Sequence, residues 1–503
     1  MRSPLELGRH LRLLLATGVL ALAGAACSRS ASQPSFVLIT LDTTRADYLS
    51  CYGNADARTP RLDELARTGT RFDLAIATAA LTPVSHASIL TGLQNQDHGL
   101  RVLAGAGGFR LRADAPTLAT VLKSEGYHTA AYHSAYPVSA HFGLERGFDV
   151  FESFTADAKT ANDKTWAIDA LQRRSDQTTE MALAYMEKAR DPYFLWVHYW
   201  DPHDPLRIPP HEFLPAGLPQ ENGKLLPSKE LYAAEVRFMD HQIGRLLDQL
   251  AASGRADETL VVVVSDHGEG LGDHGWQFHR ILYQEQIRVP LLVRAPQAAK
   301  AHPVREVKDV VSTVDVFATA LDYLGIERAT PSSGRSLRAL MEGKPDAPRL
   351  AFADQINGYD FNARMVENRP LDDFMYCAMD REWKLIYRPA HAAASELYHI
   401  ASDPRELKNV FAPDDAHAQR LLTALADANP WVTEPFAPIA GAVDHSASQN
   451  ALESLGYAGN DEASSSEADA WQWTCAVHPD VRSDTRASCP QCGGRPVLVG
   501  RAR

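Results

Sequence analysis

The run Leu260–Val264 holds five apolar residues, four of them β-branched, and leads directly into Ser265-Asp266-His267-Gly268-Glu269. An uninterrupted apolar run of that length reads as a strand buried on both faces of a parallel sheet, which obliges the rest of the chain to supply covering helices. Open α/β sheets bind ligands at the carboxyl ends of their strands. An Asp next to a His at that end can offer a divalent metal one oxygen and one nitrogen ligand. A helix cap beside a solvated histidine would account for the same pair of residues. What separates the two readings is a second strand of the same kind, Phe36–Leu41, followed at once by Asp42. Two buried strands that each deliver a carboxylate to one sheet edge make a site.

From Phe36 to about Ile326 buried strands alternate with amphipathic helices. Strands are expected at 128–132, 193–197, 260–264 and 289–293. Helices are expected from Thr59-Pro60, over 118–125 with Thr117 as cap, over 229–252 and over 315–324. Such alternation implies a parallel sheet with helices on both faces. Shorter strands at 375–379 and 384–387 and a helix over 415–428 suffice for a small α+β subdomain. Residues 458–470 are Ser, Glu, Asp and Ala without apolar periodicity and read as a linker.

The 503 residues would fit about three domains, and 45% hydrophobic with 22% charged residues suits a chain that buries a large core. A net charge of −13 argues against nucleic acid as a partner. Arg2, Arg9 and Arg12 precede the apolar run 13–26, as in a secretory signal, so the protein is expected to be exported to the periplasm or outer surface. Leu22-Ala-Gly-Ala-Ala-Cys27 resembles a bacterial lipoprotein cleavage box, which makes Cys27 the expected lipidation site and a lipid anchor the expected contact with membrane. A plain signal-peptidase site nearby is the alternative. Cys51 and Cys377 stand apart and read as unpaired thiols.

The stretch Leu81-Thr-Pro-Val-Ser-His-Ala-Ser-Ile-Leu-Thr-Gly92 gathers hydroxyls at Thr82, Ser85 and Ser88 around His86. Thr82-Pro83 is a natural helix start, with Thr as N-cap and Pro in the first turn. A helix N-terminus also presents free N–H groups and positive potential to an anion. If Thr82 lies against a metal held by Asp42, Asp266 and His267, its hydroxyl pKa falls and it becomes a nucleophile.

These segments together resemble the sulfatase family of the alkaline phosphatase superfamily. The likeness is carried by Leu41-Asp-Thr-Thr-Arg-Ala-Asp47, the Thr82 stretch, Ser265–Glu269 and Leu271-Gly-Asp-His-Gly275. Trp200-Asp-Pro-His-Asp-Pro205, Tyr283-Gln-Glu, Ile287-Arg-Val-Pro-Leu291, Glu396–His399 and Asp403-Pro-Arg-Glu-Leu-Lys-Asn409 extend it over roughly 36–457. It implies an α/β fold, an alkaline-phosphatase-like, mostly parallel sheet between helices, and a small C-terminal α+β subdomain. It also implies a hydrolase of sulfate or phosphate esters on small molecules or glycans, with a divalent metal (Ca, Zn or Mn). Arg45 would anchor the nucleophile or the anion, and His86, His203 and His279 would join Thr82 in catalysis. The family's nucleophile box reads Cys or Ser, x, Pro, Ser, Arg, and its Cys or Ser is oxidised to formylglycine. Here Thr82, Val84 and His86 fill the first, third and fifth places, and Asp42-Thr43 stands for the family's paired aspartates. A formylglycine hydrate expels sulfate by collapsing to an aldehyde; a threonine ester must be cleaved by water, which a second metal eases. Asp201, His203 and His279 could hold that second ion, threonine nucleophiles with two metals being what the superfamily's phosphodiesterase and pyrophosphatase branch uses, so that a phosphodiesterase or phosphonate monoester hydrolase is the alternative function; otherwise His203 and His279 bond the substrate's oxyanion. His274 would orient a neighbour or protonate the leaving group.

Near the C-terminus Cys475 and His478 form a CxxH and Cys489 and Cys492 a CxxC. About thirty residues cannot bury a self-sufficient core, so four soft ligands around one metal would supply the stability. The unit resembles a heavy-metal-binding domain. Val477 and Gly494 replace that domain's two methionines, which favours Zn²⁺, or another soft metal, over Cu(I). The resulting layout is 1–27 signal and lipobox, 28–35 tether, 36–348 catalytic domain, 349–457 subdomain, 458–470 linker and 471–503 zinc-ribbon-like tail. A silent surface lipoprotein that sequesters metal through this tail is the competing function.

Overall fold

The structure is a computed structural model that describes residues 33–433 apart from 104–109, 153, 155–170, 204–207, 222–223, 297–303, 328–331 and 361–362, and, further on, 471–475, 482–483 and 496–501. Eight strands form the main sheet: β1 (Ser35–Leu41), β2 (Thr70–Ile76), β3 (His128–His133), β4 (Val150–Glu152), β5 (Tyr193–Tyr199), β8 (Thr259–Ser265), β9 (Arg288–Arg294) and β10 (Glu306–Ser312). Between them β6 (Gln220–Glu221) and β7 (Lys224–Leu225) make a short separate ribbon. The spatial order is β10-β2-β9-β8-β1-β5-β3-β4. β9 runs against both its neighbours, while every other pair is parallel. The sheet is therefore mixed but mostly parallel, as the resemblance implies; β2 and β10 are charged, irregular strands without a clear sequence pattern.

Every residue of β1, β5 and β8 is buried. Alternation divides them between two cores: Phe36, Leu38, Phe194, Trp196, Val262 and Val264 on one face, Val37, Ile39, Leu195, Val197, Val261 and Val263 on the other. Each side chain of this size contributes about 1.5–3 kcal/mol on full burial, so the three central strands are the firmest part of the molecule. The helix Lys229–Ala252 covers one face; the wholly buried helix Thr82–Thr91 lies on the other.

A second sheet is antiparallel, in the order β11 (Ala351–Gln355), β12 (Met375–Met379), β13 (Trp383–Tyr387), β14 (Glu396–His399). The helix Ala416–Ala428 packs on β12 and β13 through Ala418, Leu421 and Leu425. In the tail β15 (Trp471–Cys475), β16 (Arg482–Ser483) and β17 (Pro496–Arg501) pair antiparallel. His478, Cys489, Cys492, the Cys475 side chain and Cys27 lie outside the described residues. Cys51 and Cys377 are free thiols.

Candidate active site

Strand register builds the site. β1 and β8 run side by side with Leu41 opposite Ser265, so the next residue of each, Asp42 and Asp266, emerge together. Asp266 N–H donates to Leu41 C=O at 3.2 Å, and Asp42 N–H to Tyr199 C=O at 2.8 Å. Ligand atoms of Asp42, Asp266 and His267 all lie within 4.8 Å of one another, and all three residues are buried.

Each ligand is held by a neighbour. His198, in β5, donates from Nε2 to Asp42 Oδ2 at 3.1 Å, its Nδ1 accepting from Ser134 N–H at 3.3 Å. Asp266 Oδ1 accepts from His267 N–H at 2.6 Å and Thr43 N–H at 3.1 Å. His267 Nδ1 bonds Gly268 C=O at 2.9 Å, so that nitrogen carries the proton and Nε2 keeps its lone pair for the cluster, the arrangement a metal ligand needs. Gly268 is obligatory: a Cβ there would stand 2.0 Å from Glu285 C=O.

What remains is two carboxylate oxygens, Asp42 Oδ1 and Asp266 Oδ2, buried without a hydrogen bond. Burial, followed by the charge of Asp266, pushes the Asp42 carboxyl well above its ordinary range, and burial does the same to Asp266. Burial, then His279, holds His267 well below the usual histidine value. Two anions crowded in a dry space, with a neutral imidazole turned toward them, fit a divalent cation; without one they would neutralise by taking up protons.

Thr82 begins the helix Thr82–Thr91 as its first residue, with Leu81 at the cap position, so its hydroxyl is not spent on capping as the sequence suggested. Thr82 Oγ1 is 3.2 Å from His267 Nε2. The helix is pinned to the strand ends, since Ser85 Oγ donates to Asp266 C=O at 2.7 Å. His86 bonds Thr82 C=O through Nδ1 at 2.8 Å and Thr40 Oγ1 through Nε2 at 3.0 Å. Trp196 Nε1 donates to the same Thr40 oxygen at 2.9 Å. His86 thus braces the start of the helix Thr82–Thr91, and burial lowers its pKa to about 4. Neutral at pH 7, it does not supply the charge of the arginine whose place it takes.

Three expected roles change. The Arg45 guanidinium bonds Asp47 at 2.7 Å and Asp273 at 2.8 Å as well as the Glu269 and Gly270 carbonyls, so it fastens the loop after β8 and does not reach for the nucleophile or the anion. Both Asp201 oxygens accept from Ser175 N–H, and Oδ1 also from Ser175 Oγ at 3.0 Å, at the start of the helix Ser175–Met186. That carboxylate caps a helix, and among the described residues no second three-ligand group forms with His203 and His279. His274 uses Nδ1 on Glu285 at 2.9 Å and Nε2 on Glu406 C=O at 3.2 Å, which leaves it no nitrogen for a leaving group.

His279 and His203 do face the cluster: the His279 ring lies 4.7 Å from that of His267 and 5.3 Å from that of His203, itself stacked on Trp200 at 3.8 Å. Two further residues belong beside the site: Glu269, whose Oε2 lies 3.3 Å from His279 Nδ1, and Tyr232, which donates to Thr43 C=O at 2.6 Å and accepts from Arg45 N–H at 2.9 Å. Glu269 stands two residues beyond His267 and was open to suspicion; nothing in the helical pattern around Tyr232 marks it. A cavity of about 340 Å³ opens beside this loop between Arg45, Asp273, Gln284, Arg288 and Arg405, and no member of the metal cluster lines it.

Residues 34–326 match the Sulfatase family model, and residues 272–428 match the model for N-sulphoglucosamine sulphohydrolase, C-terminal. An N-acetylglucosamine-6-O-sulfatase of Bacteroides thetaiotaomicron is 26% identical, with 79% of this chain and 87% of that protein covered. The phosphonate monoester hydrolase of Agrobacterium radiobacter superposes with a TM-score of 0.63 at 22% identity, over 79% of this chain and 96% of that one. A structure solved in complex with D-glucosamine-2-N,6-O-disulfate also reaches 0.63, at 23% identity, over 80% and 98% of the two chains.

Proposed function

This chain belongs to the sulfatase family, and on that premise we propose that it is an exported, metal-dependent hydrolase of sulfate esters whose nucleophile is Thr82 as encoded. The observation that carries the reading is the buried trio Asp42, Asp266 and His267 closing on the Thr82 hydroxyl at a helix N-terminus. Asp42 Oδ1, Asp266 Oδ2 and His267 Nε2 would hold the divalent ion. When bound, such an ion offsets the carboxylate repulsion and lowers the pKa of an adjacent hydroxyl. The Thr82 oxygen forms a bond to sulfur as the bond from sulfur to the leaving alcohol's oxygen breaks. N–H groups at the helix start stabilise the transferred group. The proton that the Thr82 hydroxyl gives up is taken by the His279 or His203 imidazole, each kept neutral by burial, and is passed on to the leaving alcohol's oxygen. Water then cleaves the threonine ester. A sulfated sugar is the favoured substrate class, by analogy with the N-acetylglucosamine-6-O-sulfatase and the glucosamine disulfate complex.

One observation favours a second reading, a phosphodiester or phosphonate monoester hydrolase. Threonine has no route through an aldehyde hydrate, and a phosphonate monoester hydrolase shares the fold. The test is turnover of p-nitrophenyl sulfate, p-nitrophenyl phosphate and bis-p-nitrophenyl phosphate, with metal counted per chain. Thr82→Ala should lower kcat at least ~10³-fold, as removal of a nucleophile does; full activity in that variant would remove Thr82 from the mechanism. Lipidation at Cys27 and a Zn²⁺ held by Cys475, His478, Cys489 and Cys492 complete the proposal. Labelled palmitate incorporation that disappears in Cys27→Ala tests the first, and one chelatable Zn²⁺ lost in Cys489→Ser/Cys492→Ser tests the second. Absence of turnover on all three esters, with metal still bound in the tail, would leave the metal-sequestering lipoprotein.

A further inference from the structure

The loop between β8 and β9 carries Asp266, His267, Glu269 and His279, and its far end is gripped by the small subdomain. Residues 270–272 pair backbone to backbone with 276–278: Gly270 N–H to Phe278 C=O at 3.1 Å, Leu271 to Gln277 at 3.1 Å, Gly272 to Trp276 at 2.9 Å. His274 sits at the tip in the left-handed region, φ 49°, a costly conformation for a residue with a side chain. Its ring is stacked on Tyr283 at 3.8 Å and 2°, and Nε2 reaches Glu406 C=O. Arg369 Nη1 donates to His274 C=O at 3.2 Å.

Glu406 is the centre of the grip. It too is left-handed, φ 56°, and its side chain, like that of Lys384 in β13, is fully buried. Glu406 Oε1 is 2.6 Å from Lys384 Nζ, and Oε2 accepts from Gln284 N–H at 2.5 Å. A buried ion pair contributes little net stability over a well-packed apolar pair, because desolvation cancels most of the attraction; its distinctive property is a fixed geometry. Tyr283 OH, bonded to Glu396 at 2.9 Å, adds a parallel contact from β14.

We infer that Glu406 is a positioning residue: paired with Lys384 on the subdomain, it clamps the loop at His274 and Gln284 and so fixes where His279 stands against the metal cluster. This rests on the reading above that His279 acts in the reaction. The clamp works through hydrogen-bond acceptors, so a neutral amide can replace the carboxylate provided Lys384 is neutralised with it.

The experiment compares Glu406→Ala/Lys384→Met with Glu406→Gln/Lys384→Met in the full chain, by kinetics on a p-nitrophenyl ester the parent turns over, thermal unfolding and amide hydrogen exchange. The alanine pair should lose roughly 10- to 100-fold in kcat, the cost of misplacing a reacting group by about 1 Å, with KM within about threefold. The glutamine pair should recover kcat to within about threefold. Exchange should quicken at 270–287 in the alanine pair and stay slow along β1. Equal kcat in the two pairs, or a kcat loss that simply follows the unfolding temperature, overturns the clamp. If the alanine pair does not fold, His274→Phe keeps the stacking on Tyr283, removes both imidazole bonds and should show the same kcat-selective loss; unchanged kcat there overturns it equally. Hydrogen exchange separates the two ideas: a parent inactive on every ester would sink the functional reading, while unchanged exchange at 270–287 would sink the clamp.

Discussion

A carboxylate out of water costs several kcal/mol, and two side by side cost more. Asp42 and Asp266 bear that cost with one oxygen each uncommitted, a debt a divalent ion would cancel. Gly268 keeps the second ligand strand in place, because its backbone touches Glu285 C=O where a side chain would go. Gly268→Ala is therefore expected to destabilise by about 1–3 kcal/mol and to weaken metal binding, read by unfolding and by metal titration. Asp201 provides the contrasting case. As a cap on Ser175 rather than a ligand, its change to Ala should cost about 1–2 kcal/mol of stability and leave the number of metal ions per chain unchanged. A lost ion in Asp201→Ala would restore the two-metal site.

Among elements, the helix Thr82–Thr91 and the loop after β8 are positioned by different means. The helix is buried on every side and pinned by Ser85 and His86, so it moves only with the core. The loop leans on the subdomain through His274. There burial opposes the charge, but the hydrogen bond and charge of Glu285, then those of Glu406, outweigh it and raise the His274 pKa above 6.5. Arg369 and Tyr283 also touch it, Lys384 stands behind Glu406, and Arg45, Asp47, Asp273, Arg288 and Arg405 share a cavity with it. The stability this imidazolium contributes is fully present below pH 6.5 and is lost as pH rises through the raised folded value. Between mildly acidic and mildly alkaline pH the parent's unfolding temperature should thus fall more steeply than that of His274→Gln. Parallel pH profiles would mean that His274 is not charged in the clamp.

For the whole molecule, the candidate ligands arrive from strands far apart in sequence, so a bound ion would tie β1 to β8 and to the helix laid across them. An ion bound to the folded chain alone stabilises it by mass action, about 2.7 kcal/mol at a hundredfold excess over its dissociation constant. Chelation should lower the unfolding temperature along with activity. Because the tail is a second candidate metal unit, that measurement belongs on Asp42→Asn beside the parent: a chelator shift of the same size in both would place the stabilising ion elsewhere.

The strands β1, β5 and β8 were legible because full burial on both faces writes itself as unbroken apolar runs, and Asp42, Asp266 and His267 because they stop those runs at the ligand-binding edge. In the small subdomain β12, β13 and the helix Ala416–Ala428 were legible, whereas β11 and the four-residue β14 were not. Nor were β2 and β10, since an edge region half open to water needs no apolar run, and the reversed β9 carries no local mark of its direction. Rotamers and partners are likewise not written in order along the chain. That Arg45 would be spent on Asp47 and Asp273, Asp201 on a helix start, and His274 on Glu406 was decided only by which segments the packed sheet brings within hydrogen-bonding reach of one another. Composition and periodicity choose which atoms leave water; tertiary contact alone chooses which polar groups then answer each other.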